Sequence, residues 1–292
     1  MRAVVTGGAG FIGSRLVEQL VNRGWVVSVI DNFSTGEWSN LEGLDCEVHE
    51  ACVTSNNLPV IEHDVLFHLA SPVSVPESHD NPEKYYLEIA DGTINIARWS
   101  IASGASKIIL ASTAAIYGES DDLPFGEMRA QNCESPYARS KWLAEMIIRD
   151  ITIANSNTTG TSLRFFNVFG EGQRKDGGYR SVIPIFRELW DAGEPLTING
   201  DGKQTRDFIW VEDVVRAIVS ASTNTKGTYN VYNVGSGEET SVNQIAESFG
   251  SEVKYLPEID EPKRSLACIS KIYEDLNWKP TLPIENWIET IR

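Results

Sequence analysis

The N-terminal stretch VVTGGAGFIGSRL (4–16) passes from β-branched residues through a cluster of glycines into an amphipathic run. A strand that turns sharply into a helix has this pattern. Gly7 permits the tight turn, Gly10 the close approach of backbone to a pyrophosphate, and Gly13 the close packing of helix on strand. The helix start at Phe11, Ile12 and Gly13 offers backbone amides and a partial positive charge to phosphates. The stretch therefore reads as a dinucleotide site. Asp31 follows the next apolar run, WVVSVI (25–30), where a carboxylate can bind both hydroxyls of an adenosine ribose. It would repel a 2′-phosphate, so the reading is NAD rather than NADP. Asn32, Ser34, Thr35 and Gly36 follow as a small polar loop suited to wrapping an adenosine.

Outward from this unit, short apolar runs alternate with longer amphipathic ones. Strands are predicted at 2–6, 25–30, 46–50, 64–70, 106–112 and 161–166, with helices at 11–24, 82–103 and 137–154. That order predicts βαβ units, a doubly wound parallel sheet of the Rossmann type. After residue 166 the composition turns to glycine-rich loops, FGEGQRKDGGY (169–179) and INGDGKQTRD (198–207). Helices are predicted at 180–192, 211–223 and 241–248, and strands at 207–211 and 228–234. The expected organisation is α/β: a nucleotide-binding domain over 1–166, rejoined by 207–234, and a smaller α/β substrate-binding cap from 167–206 and 235–292.

With 25 basic and 41 acidic residues among 292, the net charge of −16 opposes general attraction to nucleic acid or an acidic membrane. One anionic small molecule remains compatible, given local arginines or amides. Cys46, Cys52, Cys133 and Cys268 are widely separated and show no metal-ligand spacing. They read as free thiols of a reducing compartment, with no metal expected. The glycine-rich start does not resemble a signal peptide, so the expected location is cytoplasmic.

A second constellation lies at 106–141. In YARSK, Tyr137 and Lys141 stand four apart at a helix start and therefore share a face. A neighbouring ammonium stabilises a phenolate and fits the tyrosine for acid–base work. Ser112 and Thr113, in STAAIYG (112–118), sit at the carboxyl end of a predicted parallel strand, the edge at which doubly wound sheets bind ligands. Hydroxyl, tyrosine and lysine beside a nicotinamide suffice to move a hydride and a proton at a carbinol carbon.

The chain resembles the extended short-chain dehydrogenase/reductases, specifically NAD-dependent sugar-nucleotide epimerases/dehydratases of the UDP-glucose 4-epimerase type. The resemblance is carried by TGGAGFIGS (6–14), DN with a following STG (31–36), DVLFHLAS (64–71), STAAIYGE (112–119), SPYARSK (135–141), LRFFNVFG (163–170), QTRDFIWVEDV (204–214), YNVGSG (232–237) and LNWKP (276–280). It implies that Tyr137 is the catalytic base, that Lys141 holds the nicotinamide ribose, and that Thr113 bonds the reacting sugar hydroxyl. Leu69, Ala70, Ser71, Ala111, Ser112 and Phe165 would line the cofactor, and the Val53 amide would pair with adenine. Asn167, Val182, Arg206 and Arg264 would contact the nucleotide sugar, the arginines at its pyrophosphate. A homodimer through 82–103 and 137–154 is also implied. Three positions depart from the family pattern: Cys52 and Cys268 replace common acids, and Ile89 a common asparagine.

Elimination of water from a 4-keto sugar requires an acid and a base. Related dehydratases carry an Asp-Glu pair directly after the threonine, and decarboxylating relatives retain a glutamate there. This chain has Ala114 and Ala115, which transfer no protons. The expectation is therefore oxidation and re-reduction at the same carbon, an epimerisation at C4. The alternatives are a nucleotide-sugar reductase, dehydrogenase or dehydratase on the same apparatus, and a catalytically silent NAD-binding sensor.

Overall fold

The computed structural model describes residues 1–173, 181–224, 226–259 and 261–292. Six parallel strands come in succession from residues 2–165: β1 (Arg2–Thr6), β2 (Val26–Asp31), β3 (Cys46–Glu50), β4 (Val65–His68), β5 (Lys107–Thr113) and β6 (Thr159–Phe165). The chain then leaves the sheet for β7 (Asn167–Phe169), β8 (Leu196–Asn199), β9 (Thr205–Arg206) and β10 (Phe208–Trp210), and returns with β11 (Tyr229–Val234). The resulting order is β3-β2-β1-β4-β5-β6-β11, all in parallel register. Chain direction across the sheet reverses beside β1, which opens a crevice at the carboxyl ends of β1 and β4.

The helices are α1 (Phe11–Asn22), α2 (Val75–Asp80), α3 (Pro82–Tyr85), α4 (Gly92–Ala102), α5 (Pro136–Ala154), α6 (Val182–Asp191), α7 (Val211–Asn224), α8 (Val242–Phe249), α9 (Ser270–Leu276) and α10 (Ile284–Ile291). Successive strand residues point to opposite faces. Ala3, Val5, Val27, Val29, Ile109 and Ala111 accordingly pack with Leu16 and Leu20 of α1 and Val214 and Ile218 of α7. Val4, Ile30, Leu66, Ile108 and Leu110 face the other way, onto Ile96 and Ala97 of α4 and Ala144 and Ile148 of α5. The two-sided burial explains why these strands are apolar throughout.

The helix predicted over 82–103 is built in three parts: α3, a π-helical turn at Tyr86–Asp91, and α4. There the Thr93 hydroxyl donates to the Ile89 carbonyl at 2.6 Å. The strand predicted at 64–70 ends at His68, because the Leu69 amide turns to the Thr6 carbonyl and Ala70 lies against Gly7.

Outside the large sheet, β7 pairs with β10, β8 with β13 (Val253–Leu256), and β9 with β12 (Thr240–Ser241). Phe169, Phe186, Leu196, Ile198, Phe208, Ile245, Phe249 and Trp287 form their common core. The stretch 198–207, predicted as loop, contributes the end of β8 and all of β9, since the alternation of buried Leu196 and Ile198 continues a strand. Residues 174–179 of the glycine-rich loop, and residue 180 at the predicted helix start, lie outside the described residues. Among the described residues no helix is long and apolar enough to cross a membrane, and no cluster of His, Cys, Asp or Glu could hold a metal ion.

Candidate active site

The first part of the site is the turn after β1. Gly7 has φ +72°, a backbone conformation that side chains oppose, and a Cβ there would stand 2.7 Å from the Ala70 nitrogen. A Cβ on Gly13 would overlap the Gly7 carbonyl oxygen, so backbone passes where a side chain cannot. Gly10 precedes α1 and no side chain caps the helix, which leaves its first turn, Phe11 and Ile12, facing the crevice with amide character. These features fit a dinucleotide pyrophosphate.

Asp31 ends β2 and is buried. Its Oδ2 accepts from the Ala9 amide and its Oδ1 from the Phe33 amide, both at 2.9 Å, which fixes the carboxylate beside the glycine turn. The Asn32 side chain accepts from the Ser34 amide and hydroxyl, and Phe33 takes φ +53° in the tight turn so formed. Gly36 is pressed against Ala9, and together with Thr35 completes this loop. Val53 is buried, and its carbonyl accepts from Asn95. Cys52 lies within weak hydrogen-bond range of Asn32 and Thr54. Ile89 is buried in the π-helical turn, and the Cys268 thiol turns to Ser270.

The second part is the carboxyl edge of β5. Thr113 is its last residue, in register with Phe165 of β6, and its hydroxyl accepts from the Ala115 amide at 3.1 Å. Ser135 caps α5 by accepting from the Ala138 amide, which sets Tyr137 in the first turn. The Tyr137 ring is buried and meets Tyr85 edge-on at 6.2 Å. One turn on, Lys141 is buried and its Nζ donates to the Ala111 carbonyl at 2.9 Å. Burial pulls the ammonium down to about 8, while the Glu145 carboxylate opposes that loss of charge. Leu69, Ala70 and Ser71 leave β4 at the same sheet edge, the Ser71 hydroxyl donating to the Pro72 carbonyl.

His68 joins the two parts. The Thr93 hydroxyl donates to Ile89, so His68 Nε2 donates to Thr93 at 3.1 Å, and Nδ1 is left to accept from Thr6 at 2.8 Å. Thr6 Oγ1 in turn accepts from the Ala70 amide. The chain of bonds needs a neutral imidazole, and burial, reinforced by Lys141, pushes His68 down to about 3. His68 stands in the DVLFHLAS motif, but sequence reasoning gave it no role.

Of the cap residues, Asn167 donates to the Asp207 carbonyl at 3.1 Å, and Val182 opens α6 against the cap core. Arg206, on β9, pairs with Glu261 at 2.9 Å, and Arg264 is held by both oxygens of Glu239. Both arginines are thus engaged by carboxylates of the chain itself. Asp207 was also missed. It is fully buried and accepts from the amides of Ser236, Gly237 and Ala267, fastening the YNVGSG turn to the C-terminal segment. Only its contact with three backbone amides distinguishes it from other acids, and no sequence pattern displays that.

The family model described as NAD dependent epimerase/dehydratase family matches residues 3–235. A UDP-N-acetyl-α-D-glucosaminuronate decarboxylase of Bacillus cytotoxicus is 34% identical, over 84% of this chain and 78% of that protein. The structure of a UDP-N-acetylglucosamine 4-epimerase from Methanobrevibacter ruminantium, in complex with UDP-N-acetylmuramic acid, superposes with a TM-score of 0.91 at 32% identity, covering 100% of this chain and 96% of that one. The structure of a UDP-glucose 4-epimerase from Thermotoga maritima with UDP-glucose gives 0.91 at 33% identity, covering 99% and 96%. The chain belongs to the NAD-dependent epimerase/dehydratase family, with NAD as its cofactor.

Proposed function

We propose that the protein epimerises a nucleotide-diphosphate sugar at C4, of the UDP-glucose/UDP-galactose type. The observation that carries this reading is the pair Ala114–Ala115 directly after Thr113, at the start of a short turn at the sheet edge, where neither side chain can serve as acid or base. Family membership alone spans epimerases, dehydratases and decarboxylases, and this pair favours the first.

NAD, when bound along the glycine turn, Asp31 and the ends of β4 and β5, supplies hydride-accepting and hydride-donating chemistry. Tyr137 takes the proton from the C4 hydroxyl, the 4-keto sugar rotates to present its other face for hydride return, and Tyr137 gives the proton back to the C4 oxygen. Lys141 stabilises the phenolate by its charge, and Thr113 bonds the reacting hydroxyl. Tyr137→Phe is expected to lower kcat by roughly 10²–10⁴, the usual worth of a positioned acid–base group. Arg206 and Asn167 hold the nucleotide diphosphate, with Arg264 and Val182 at its rim; a pyrophosphate would displace Glu261 from Arg206. A homodimer is part of the same reading, supported by the exposed apolar side chains Leu87, Leu143 and Ile153 on the two helical segments. Sedimentation as a monomer at micromolar concentration would remove that part.

The deciding experiment is incubation with UDP-, GDP-, CDP- and dTDP-sugars without added reductant, read by sugar NMR. A C4-epimeric pair is the expected result. A 4-keto-6-deoxy product, or turnover that requires fresh cofactor each cycle, overturns the reading.

A further inference from the structure

Tyr137, Lys141 and Glu145 follow one another at four-residue steps on α5 and share its sheet-facing side. All three are buried, at 8%, 4% and 3% exposure, so each charge among them needs a partner from the protein. Lys141 donates to the carbonyl of Ala111, and Ser112 donates to Glu145 Oε1 at 2.5 Å. Two consecutive turns of α5 therefore grip two consecutive residues of β5, and the next residue is Thr113.

Glu145 is itself fixed from the neighbouring strand. Arg164 lies directly across from Ser112 in the β5–β6 register and binds the carboxylate at two points, Nε to Oε1 at 3.0 Å and Nη2 to Oε2 at 2.8 Å. Its Nη1 donates to the Tyr117 hydroxyl at 2.8 Å and to the Glu127 carbonyl at 3.1 Å. Tyr117 ends the short turn that begins after Thr113, so this one ion pair touches the segment on both sides of the threonine. Buried pairs of this kind are often replaceable by apolar side chains without loss of stability. What an apolar replacement could not reproduce is an anion one turn from Lys141.

We propose that Glu145, held by Arg164, is a positioning residue of the proton-transfer site, keeping Lys141 charged and Ser112–Thr113 in place relative to Tyr137. The inference rests on the roles given to Tyr137 and Lys141 above. Burial acts to discharge Lys141, and Glu145 acts against it.

The test uses two variants. Glu145→Gln keeps the acceptor for Ser112 but strands Arg164. The double variant Glu145→Met with Arg164→Met removes both charges at similar volume and takes its place should the single variant not fold. Two readouts are followed: the pH titration of the Lys141 ε-carbon by ¹³C NMR, assigned with Lys141→Arg, and the pH profile of kcat. In the folded variant the Lys141 midpoint is expected to move down by about one pH unit or more, the usual effect of losing a nearby opposite charge. The alkaline limb of kcat should follow it, with KM little changed. A folded double variant with an unmoved Lys141 midpoint overturns the proposal, as does a moved midpoint with an unchanged kcat profile. Should Tyr137→Phe retain full activity, it is the assignment of Tyr137 that fails, while the Lys141 titration still decides whether Glu145 sets that charge.

Discussion

Lys141 on α5 donates to the carbonyl of Ala111 on β5 at 2.9 Å, with both residues buried, so the ammonium is anchored at the sheet edge without bulk water around it. Its proton affinity falls from 10.5 to about 8, chiefly through desolvation. Between those values the unfolded chain holds the proton and the folded chain does not, so this group makes stability rise with pH across the window. On the roles proposed for Tyr137 and Lys141, activity should run the other way, because loss of the Lys141 charge would withdraw support from the Tyr137 phenolate. The denaturant midpoint is expected to increase from about pH 8 upward while kcat/KM declines. Lys141→Met should abolish the stability slope, measured by urea titration at several pH values.

His68 predicts the acid side. Its folded value of about 3 lies below the ordinary 6.5, so the unfolded chain binds the proton first as pH falls. The stability it lends is complete above about 6.5 and is lost progressively towards 3. His68→Gln retains one donor and one acceptor for Thr93 and Thr6 but cannot titrate there. It is expected to cost about 1 kcal/mol at neutral pH and to flatten the slope of stability between pH 6 and 4, read by thermal or urea unfolding.

At the glycine turn, Gly13→Ala places a methyl group on the Gly7 carbonyl. Relief requires the turn to move, at about 1–3 kcal/mol, the usual cost of forcing an extra carbon into packed structure. Calorimetric titration should show NAD binding weakened by tenfold or more, since about 1.4 kcal/mol is a factor of ten.

With Arg206 at the pyrophosphate, as proposed, Arg206 and Glu261 predict opposite effects on substrate affinity. Arg206→Leu removes a charge-assisted contact and should raise KM by about tenfold or more with little change in kcat. Glu261→Gln frees the guanidinium from its internal partner and should lower KM. Steady-state kinetics on the pair would separate the two; a lowered KM for Arg206→Leu would contradict the assignment.

The helix at Pro136–Ala154 and the strands from Arg2 to Phe165 were legible because their determinants are local. A capping serine, apolar residues at helical spacing and continuous apolar runs act over a few residues. The helix over 82–103 shows the limit, since periodicity averages over the π-helical turn that Thr93 and His68 accompany. The strands β8 and β13 are four residues each and gain their stability from pairing across more than fifty residues, which is why β8 read as loop. Helices α2 and α9, at six and seven residues, are too short to display a helical period, and α10 also went unread.

By itself the sequence determined the parallel sheet, the glycine turn and the Tyr137–Lys141 pair, because each depends on spacing within one strand or helix. Tertiary structure decided the charges. That Glu145 meets Arg164 and Ser112, that Arg206 is held by Glu261, and that His68 must be neutral all follow from contacts between segments far apart in the chain. Burial and electrostatics depend on what surrounds a group in space, and only the packed sheet and cap specify that environment.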